Sequence, residues 1–434
     1  MPSRRWIIFL TLALAYFLVY FHRLSLSVVA DDLVKEFETT AGAMGLLGSL
    51  YFYGYALMQL PAGLLSDSLG PRRTVTFSLL FAAAGSLLFG SAPNLWVAFL
   101  GRALVGLGVS MVFIPTMKIL SQWFLPREFA FMAGLLNGVG GVGVLAATFF
   151  LALMAGRLGW RLSFLLIGLG TLGLVFGVWR VVRDRPEEGP RPAEAEAGGV
   201  RIPLLAGMRR VAMEKSFWPV AVWFFFNCGI FFGFGGLWAG PYLMHVYGLT
   251  KTQTGAVLSL IAWGMIFGSP LLGLISDRWV QSRRRVLTAC SAVLTAELAL
   301  LCLFPAGLST VALCAVFFVF SVSSSAIVSV AFTATKELFP VEIAGTSTGM
   351  VNLFPFLGGA VYMPLLGRVL DSFDRTAQGG FAPKAYTVLL AVLLVSSLVS
   401  LACTRLMKET HPARLKADAP AKIKAISKTE NKRR

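Results

Sequence analysis

An all-α membrane protein, with twelve transmembrane helices in two pseudo-symmetric six-helix bundles, is the fold class that three observations predict. First, 56% of the 434 residues are hydrophobic and only 14% are charged, far from the balance of a soluble domain. Second, the apolar residues gather into stretches of the ~20 residues that a hydrocarbon core of about 30 Å requires. Third, the chain nearly repeats itself. GLLSDSLGPRR begins at Gly63 and GLISDRW at Gly273, 210 residues apart, and Gly54 and Gly264 precede the two copies at the same spacing. Two mostly apolar halves built alike are the mark of a duplicated membrane bundle.

The stretches lie near 6–30, 41–65, 74–91, 95–120, 129–155, 162–182, 217–246, 253–276, 285–304, 309–333, 344–367 and 386–406. The first follows Arg4 and Arg5, lacks a small-residue cleavage site and runs on through His22 and Arg23. It reads as a retained helix and not as a signal peptide. The segment 63–73 is a tight, charged hairpin between the second and third stretches. Between the sixth and seventh, RVVRDRPEEGPRPAEAEAGGVRIP is too poor in apolar residues to fold alone. The expected organisation is a first bundle over 1–183, a cytoplasmic linker over 184–215, a second bundle over 216–407 and a basic disordered tail over 408–434.

The net charge of +17 is spread through loops between apolar segments, which excludes a nucleic-acid-binding surface. With both termini on one side, only Lys35, Arg157, Arg161, Lys251, Arg368, Arg375 and Lys384 fall on the other, and only Arg23, Arg102 and Lys118 lie within the bilayer. By the positive-inside rule the termini, the linker and both GLxSD hairpins are cytoplasmic, and the 31–40 segment faces outward. A multi-pass protein of the inner or plasma membrane follows. The cysteines Cys228, Cys290, Cys302, Cys314 and Cys403 sit singly in apolar runs, with neither disulfide nor metal spacing. No P-loop, HExxH or GxSxG pattern is present, and no nucleophile or metal cluster lies at membrane depth. No enzyme and no cofactor are expected.

Charges inside the helices carry the functional signal, because an Arg or Lys at the bilayer centre costs about 2.5–3.5 kcal/mol even on insertion scales. At ~1.5 Å per residue, Arg23 in the first helix and Arg102 in the fourth fall within roughly 6 Å of the midplane. Lys118 lies toward the cytoplasmic end of the fourth. No acid lies inside the first six helices, and the only one deep in any helix is Glu297. Uncompensated positive charge suits an anionic substrate that supplies the missing partner. The alternative is that these cations bind backbone carbonyls as packing glue, the stronger reading for Arg102 and Lys118.

Polar groups that could complete a site are Tyr20, the stripe Tyr51, Tyr55 and Gln59 at intervals of four, Asn227 and Trp238 in the seventh helix, Ser323 in the tenth and Asn352 in the eleventh. Each alone is more often an interhelical hydrogen bond than a ligand. The glycines Gly134, Gly138, Gly140, Gly141 and Gly143 read as packing positions. His22 is either a proton carrier or a neutral wall of the site.

The hairpin GLLSDSLGPRR, with Gly63, Asp67, Gly70, Arg72 and Arg73, resembles the signature between the second and third helices of the major facilitator superfamily. Gly273, Asp277, Arg283 and Arg284 keep the pattern in the second half, with Val280 in place of a glycine. Arg102, Gly106 and Gly108 match that family's RxxxGxG motif in the fourth helix. The resemblance covers about 6–406. It implies that helices one, four, seven and ten line a central cavity, with Arg23, Lys118, Asn227 and Ser323 in it. It also implies that the hairpin latches the outward-open state. Asp67 caps the second helix, where Arg73 or a neighbouring helix terminus can face it, and Arg102 and Glu128 join the latch, as do Asp277 and Arg283 in the second half.

Within that family, YFHRLSLSVVADDL resembles the first helix of anion:cation symporters, where an Asp-Arg pair serves proton coupling and an organic anion. Here His22 replaces the Asp, and Val109 stands where those symporters carry a Glu. The expected function is alternating-access transport of a small organic anion by a monomer in the lipid bilayer, with coupling to a proton open. A proton-driven exporter of amphipathic compounds, suggested by Phe224, Phe225, Phe226, Phe231, Phe232 and Phe234, is the alternative within transport. A non-transporting receptor or scaffold is the alternative outside it.

Overall fold

A computed structural model describes residues 2–186, 204–376 and 379–412. Apart from one isolated bridge between Arg375 and Phe381, the described residues form helices and short connections. Helices are the only open structure that satisfies its own backbone in lipid.

The first half holds α1 (Pro2–Leu24), α2 (41–68), α3 (Pro71–Gly90), α4 (Leu95–Trp123), α5 (126–158) and α6 (160–181). The second holds α7 (Phe217–Tyr247), α8 (Lys251–Trp279), α9 (Arg283–Leu303), α10 (Thr310–Glu337), α11 (341–371) and α12 (Pro383–Leu406). Ten described helical runs are long and apolar enough to cross a membrane. The run Phe131–Val181 turns back at Gly159, whose φ of 75° no helix continues through, and so crosses twice. Helix α2 escapes the length criterion because it breaks at Met58 into Ala41–Leu57 and Gln59–Ser68. With α2 included, the crossings number twelve.

Local chemistry sets the ends. Thr40, Asn94, Ser282 and Ser309 accept a backbone N–H of the first turns of α2, α4, α9 and α10, and Thr250 forms a capping box with Gln253 at α8. Pro71 and Pro383 occupy first-turn positions where a missing N–H costs nothing. Wide π-turns interrupt α5, α7, α8 and α10. The one in α7, Phe231–Trp238, rotates the faces of that helix next to the junction between halves.

The halves meet along α2 on α11 and α5 on α8, and α1 touches α7. Small residues permit this contact. A Cβ on Gly45 would come within 2.4 Å of the Met363 carbonyl, and one on Gly240 within 1.6 Å of that of Ser27. In α5, Gly140, Gly141 and Gly143 press against Tyr20, Ile266 and Phe17, whereas a Cβ on Gly134 or Gly138 would meet nothing within 4 Å among the described residues, so the packing reading fails for those two. Leu10, Leu14, Trp96, Phe131, Phe176, Val311 and Val395 stand exposed around the outside, where a bilayer covers them.

The linker, expected to be without structure, contains the helix Leu204–Met213. Gly207 and Val211, one turn apart, are buried, and the helix packs on the start of α11. Its apolar stripe is hidden in a segment that averages polar. Residues 187–203 of the linker and the basic tail beyond 412 lie outside the described residues. The bundle face with Arg5, Asp67, Asp184 and Glu409 is the near face below, and that with Asp31, His245 and Asp371 the far face.

Candidate functional site

Arg23 stands at the end of α1, just before the chain tightens into the turn Ser25–Val28, and only 7% of it is exposed. Among the described residues no acid pairs with it, and its Nε has no partner. Four aromatic rings surround it. The guanidinium carbon lies 4.5 Å from the ring centre of Tyr20, 5.1 Å from Tyr55, 5.4 Å from Phe356 and 5.6 Å from Phe232. Tyr20 and Tyr55 come from the first half, Phe232 and Phe356 from the second. Tyr55 and Phe356 stack across the junction with centroids 4.1 Å apart. Ring faces attract a cation by about 0.5–2 kcal/mol each, which only partly offsets its lost hydration.

His22 and Arg102 form a separate arrangement inside the first half. Arg102 donates from Nη2 to the His22 carbonyl at 3.2 Å and lies over the rings of Tyr51 and Phe89. Its Nη1 and Nε, and both ring nitrogens of His22, are buried without a partner among the described residues. Tyr51 donates to the Val19 carbonyl at 2.9 Å.

Other residues singled out in the sequence are engaged elsewhere. Lys118, expected to lack an acidic partner, pairs with Asp67 at 2.6 Å and also donates to the Ser66 carbonyl. That correction follows from the break in α2, beyond which Gln59–Ser68 packs on the near-face part of α4. Trp238 donates to the Met363 carbonyl at 2.9 Å and serves as a strut between α7 and α11. Ser323 bonds within its own helix, to the Phe320 carbonyl. Asn352 donates to Gln59 at 2.8 Å, joining the halves. Asn227 is fully buried, and neither its Oδ1 nor its Nδ2 has a partner among the described residues.

Of the α7 phenylalanines, Phe224, Phe231 and Phe234 pack on Phe332, Phe320 and Phe317 inside the second half. Phe232 reaches Arg23. Phe356, which completes the cage, carries no signal in the local sequence, because one phenylalanine on an apolar helix is like any other.

At the near face the pairs Arg5–Glu128, Asp67–Lys118 and Arg283–Glu337 each lie within one half. Gly70, with φ of 88°, turns the chain into α3, and a Cβ there would stand 2.9 Å from Asp184 Oδ2. The Arg72 backbone N–H donates to Asp184 at 2.6 Å, while its guanidinium lies over the Trp179 ring and donates to the Trp179 carbonyl. Arg73, offered as a partner for Asp67, is exposed, and Gly63 has no neighbour within 4 Å. Glu128 accepts from the Leu125 N–H at the start of α5 and pairs with Arg5 at 3.2 Å, not with the hairpin.

In the second half Arg283 is held by Asp277, by Glu337 at 3.1 Å and by Ser276 at 2.9 Å. Glu409 accepts from the Arg283 N–H at 3.0 Å, much as Asp184 caps α3 in the first half. Burial would raise the Glu409 carboxyl, but hydrogen bonds from Ser282 and three backbone N–H groups hold it below its ordinary range.

Across the far face the halves are tied to each other. His245 at the end of α7 bonds Asp31 at 3.0 Å and Tyr386 at 2.9 Å, and Lys251 pairs with Asp32 at 2.5 Å. The Asp371 carboxylate, at the end of α11, accepts the N–H groups of Ala41 and Gly42 at 2.7 and 2.6 Å and so caps α2 from the other half. Arg375 donates to the Thr39 carbonyl at 2.6 Å. The sequence places Lys251, Arg375 and the 31–40 segment on the outer side but not in contact with one another. Burial would raise the Asp31 carboxyl, but hydrogen bonds to His245 and Lys35 and their charges lower it to about 2.

Two repeated six-helix halves, tied to each other across one face and enclosing a buried cation, make a polytopic membrane protein with the architecture of a transporter. The chain belongs to the major facilitator superfamily, whose model matches residues 12–363 and 231–430. It is 26% identical to the hexuronate transporter of Bacillus subtilis over 387 residues, covering 86% of this chain and 82% of the relative. It is 25% identical to a probable sulfoacetate transporter of Cupriavidus necator, with 92% and 94% covered, and 25% identical to a membrane sensor protein of Salmonella typhimurium, with 94% and 93% covered. Among solved structures, a bacterial homologue of the human lysosomal transporter Spinster, inward-facing and unoccupied, superposes with a TM-score of 0.74 at 17% identity, covering 93% of this chain and 98% of that one.

Proposed function

We propose that the protein carries a small organic anion across the inner or plasma membrane by alternating access, with both termini cytoplasmic and Arg23 binding the anion. The observation that carries this reading is a guanidinium buried at the junction of the halves with no acid among the described residues to neutralise it. Hexuronate and sulfoacetate, after which two relatives are named, are both anions. Alternating access is supported by the division of contacts, with ties between halves at the far face and pairs within each half at the near face. That arrangement is closed at the far face, the outer one by the positive-inside rule.

A thermal-shift screen of sugar acids, sulfonates and aromatic acids, followed by counterflow in proteoliposomes, tests the reading. Arg23→Ala should abolish binding and counterflow of the anions found while leaving expression normal. Binding that survives the substitution removes Arg23 from the site.

The second reading is a sensor that binds an anion without moving it, favoured by the likeness to the Salmonella sensor. Binding without counterflow of labelled ligand would select it.

A further inference from the structure

We infer that the anion is an aromatic monocarboxylate, its carboxylate on Arg23 and its ring between Tyr55 and Phe356; this rests on the anion reading above. Ring faces dominate the surroundings of Arg23, and the side-chain groups that bond to it are the hydroxyls of Tyr51 and Tyr55. Tyr20, Tyr55, Phe232 and Phe356 all present a ring within 5.6 Å of the guanidinium carbon. Of the polar side chains singled out at the junction, Tyr51 is engaged by the Val19 carbonyl, Trp238 by the Met363 carbonyl and Gln59 by Asn352, while the Asn227 amide has no partner among the described residues.

A polyhydroxylated sugar acid would bring several hydroxyls into this cage. Each would surrender its bonds to water for the face of a phenyl ring, a loss that weighs heavily against binding. An aromatic acid makes no such demand. Its carboxylate can accept two parallel N–H bonds from the planar guanidinium, and its ring offers the faces and edges that the cage rings prefer.

The stack of Tyr55 on Phe356, 4.1 Å between centroids, joins the two halves. A ligand ring inserted there replaces one stacking contact by two, one on each half. Bound solute then bridges the halves through the same two side chains that touch each other without it. The ring pair is therefore a specificity device, in which only a flat ring can be exchanged into the stack without leaving a gap.

Binding of benzoate, 3-hydroxybenzoate, cyclohexanecarboxylate and glucuronate to the purified full chain tests the inference. Benzoate or 3-hydroxybenzoate should bind at least tenfold tighter than the other two and should lose binding in Arg23→Ala. Phe356→Leu should weaken benzoate at least tenfold, and Phe356→Tyr should restore it. The melting temperature of each variant without ligand is the folding control, and Tyr55→Leu repeats the test from the other half should Phe356→Leu fail to fold. Arg23-dependent binding of glucuronate without binding of the aromatic acids overturns the aromatic class and leaves the anion reading standing. Equal affinity for benzoate and cyclohexanecarboxylate, or benzoate binding unchanged in both leucine variants, also overturns it. Absence of any Arg23-dependent anion binding overturns both.

Discussion

His245, at the far end of α7, meets Asp31, just beyond α1, at 3.0 Å, so one hydrogen-bonded pair ties the last turn of a second-half helix to the first half. The tie is enclosed, with only 12% and 13% of the two side chains exposed. Lys251 with Asp32 and Asp371 with the N-terminus of α2 stand beside it, which makes the far face a multipoint seal.

Asp31→Asn is expected to loosen this seal. A cysteine introduced at Thr39, which is buried in the seal, should react faster with a membrane-impermeant maleimide in that variant than in the parent. The pH dependence follows from the lowered Asp31 carboxyl. A depressed folded-state pKa contributes stability that is complete above the ordinary carboxylate range, about pH 4, and is lost as pH falls toward 2. The melting-temperature advantage of the parent over Asp31→Asn should therefore shrink as the pH falls below about 4.

Asp67 and Lys118 form an ion pair at the near face of the first half. The pair is largely exposed, with 74% and 37% of the side chains accessible, so its removal should change global stability by no more than about 1 kcal/mol. Its effect should lie in cycling. Asp67→Asn and Lys118→Met should each slow counterflow several-fold at saturating anion with little change in affinity, and the double variant should be no slower than the worse single one. Additive slowing would mean that the two residues act apart.

Gly240 lies where α7 crosses the end of α1. Its Cβ would stand 1.6 Å from the Ser27 carbonyl, a clash with backbone that cannot rotate away. Gly240→Ala should destabilise the far-face-closed state by about 1–3 kcal/mol, seen as a lower melting temperature and faster labelling at position 39. Gly134→Ala, in open space, should leave both measurements unchanged.

Among the described residues, His22 and Glu297 are buried in the helices with no partner for the imidazole nitrogens or the carboxylate oxygens. A coupling proton carried by His22 predicts that His22→Gln abolishes uptake driven by an imposed pH gradient while counterflow persists. Loss of gradient-driven uptake in Glu297→Gln but not in His22→Gln would assign the proton to α9.

The number of crossings, the doubling of the chain and the family were legible in the sequence. Lipid accepts only long apolar helices, and the hairpin motif recurs at a fixed offset. The isolation of Arg23 from acids was legible too, since an intramembrane charge has few places to hide. What the sequence could not disclose is which groups meet. Asp31 and His245 are 214 residues apart, and the ring of Phe356 is set beside Arg23 only by the packing of α11 on α2. Lys118 reads as a lone cation until the broken end of α2 brings Asp67 to it. Apolar periodicity dictates that a helix forms and crosses, because that depends on its own residues and the lipid. The choice of partner across the junction depends on how the two halves dock, and only the tertiary structure decides it.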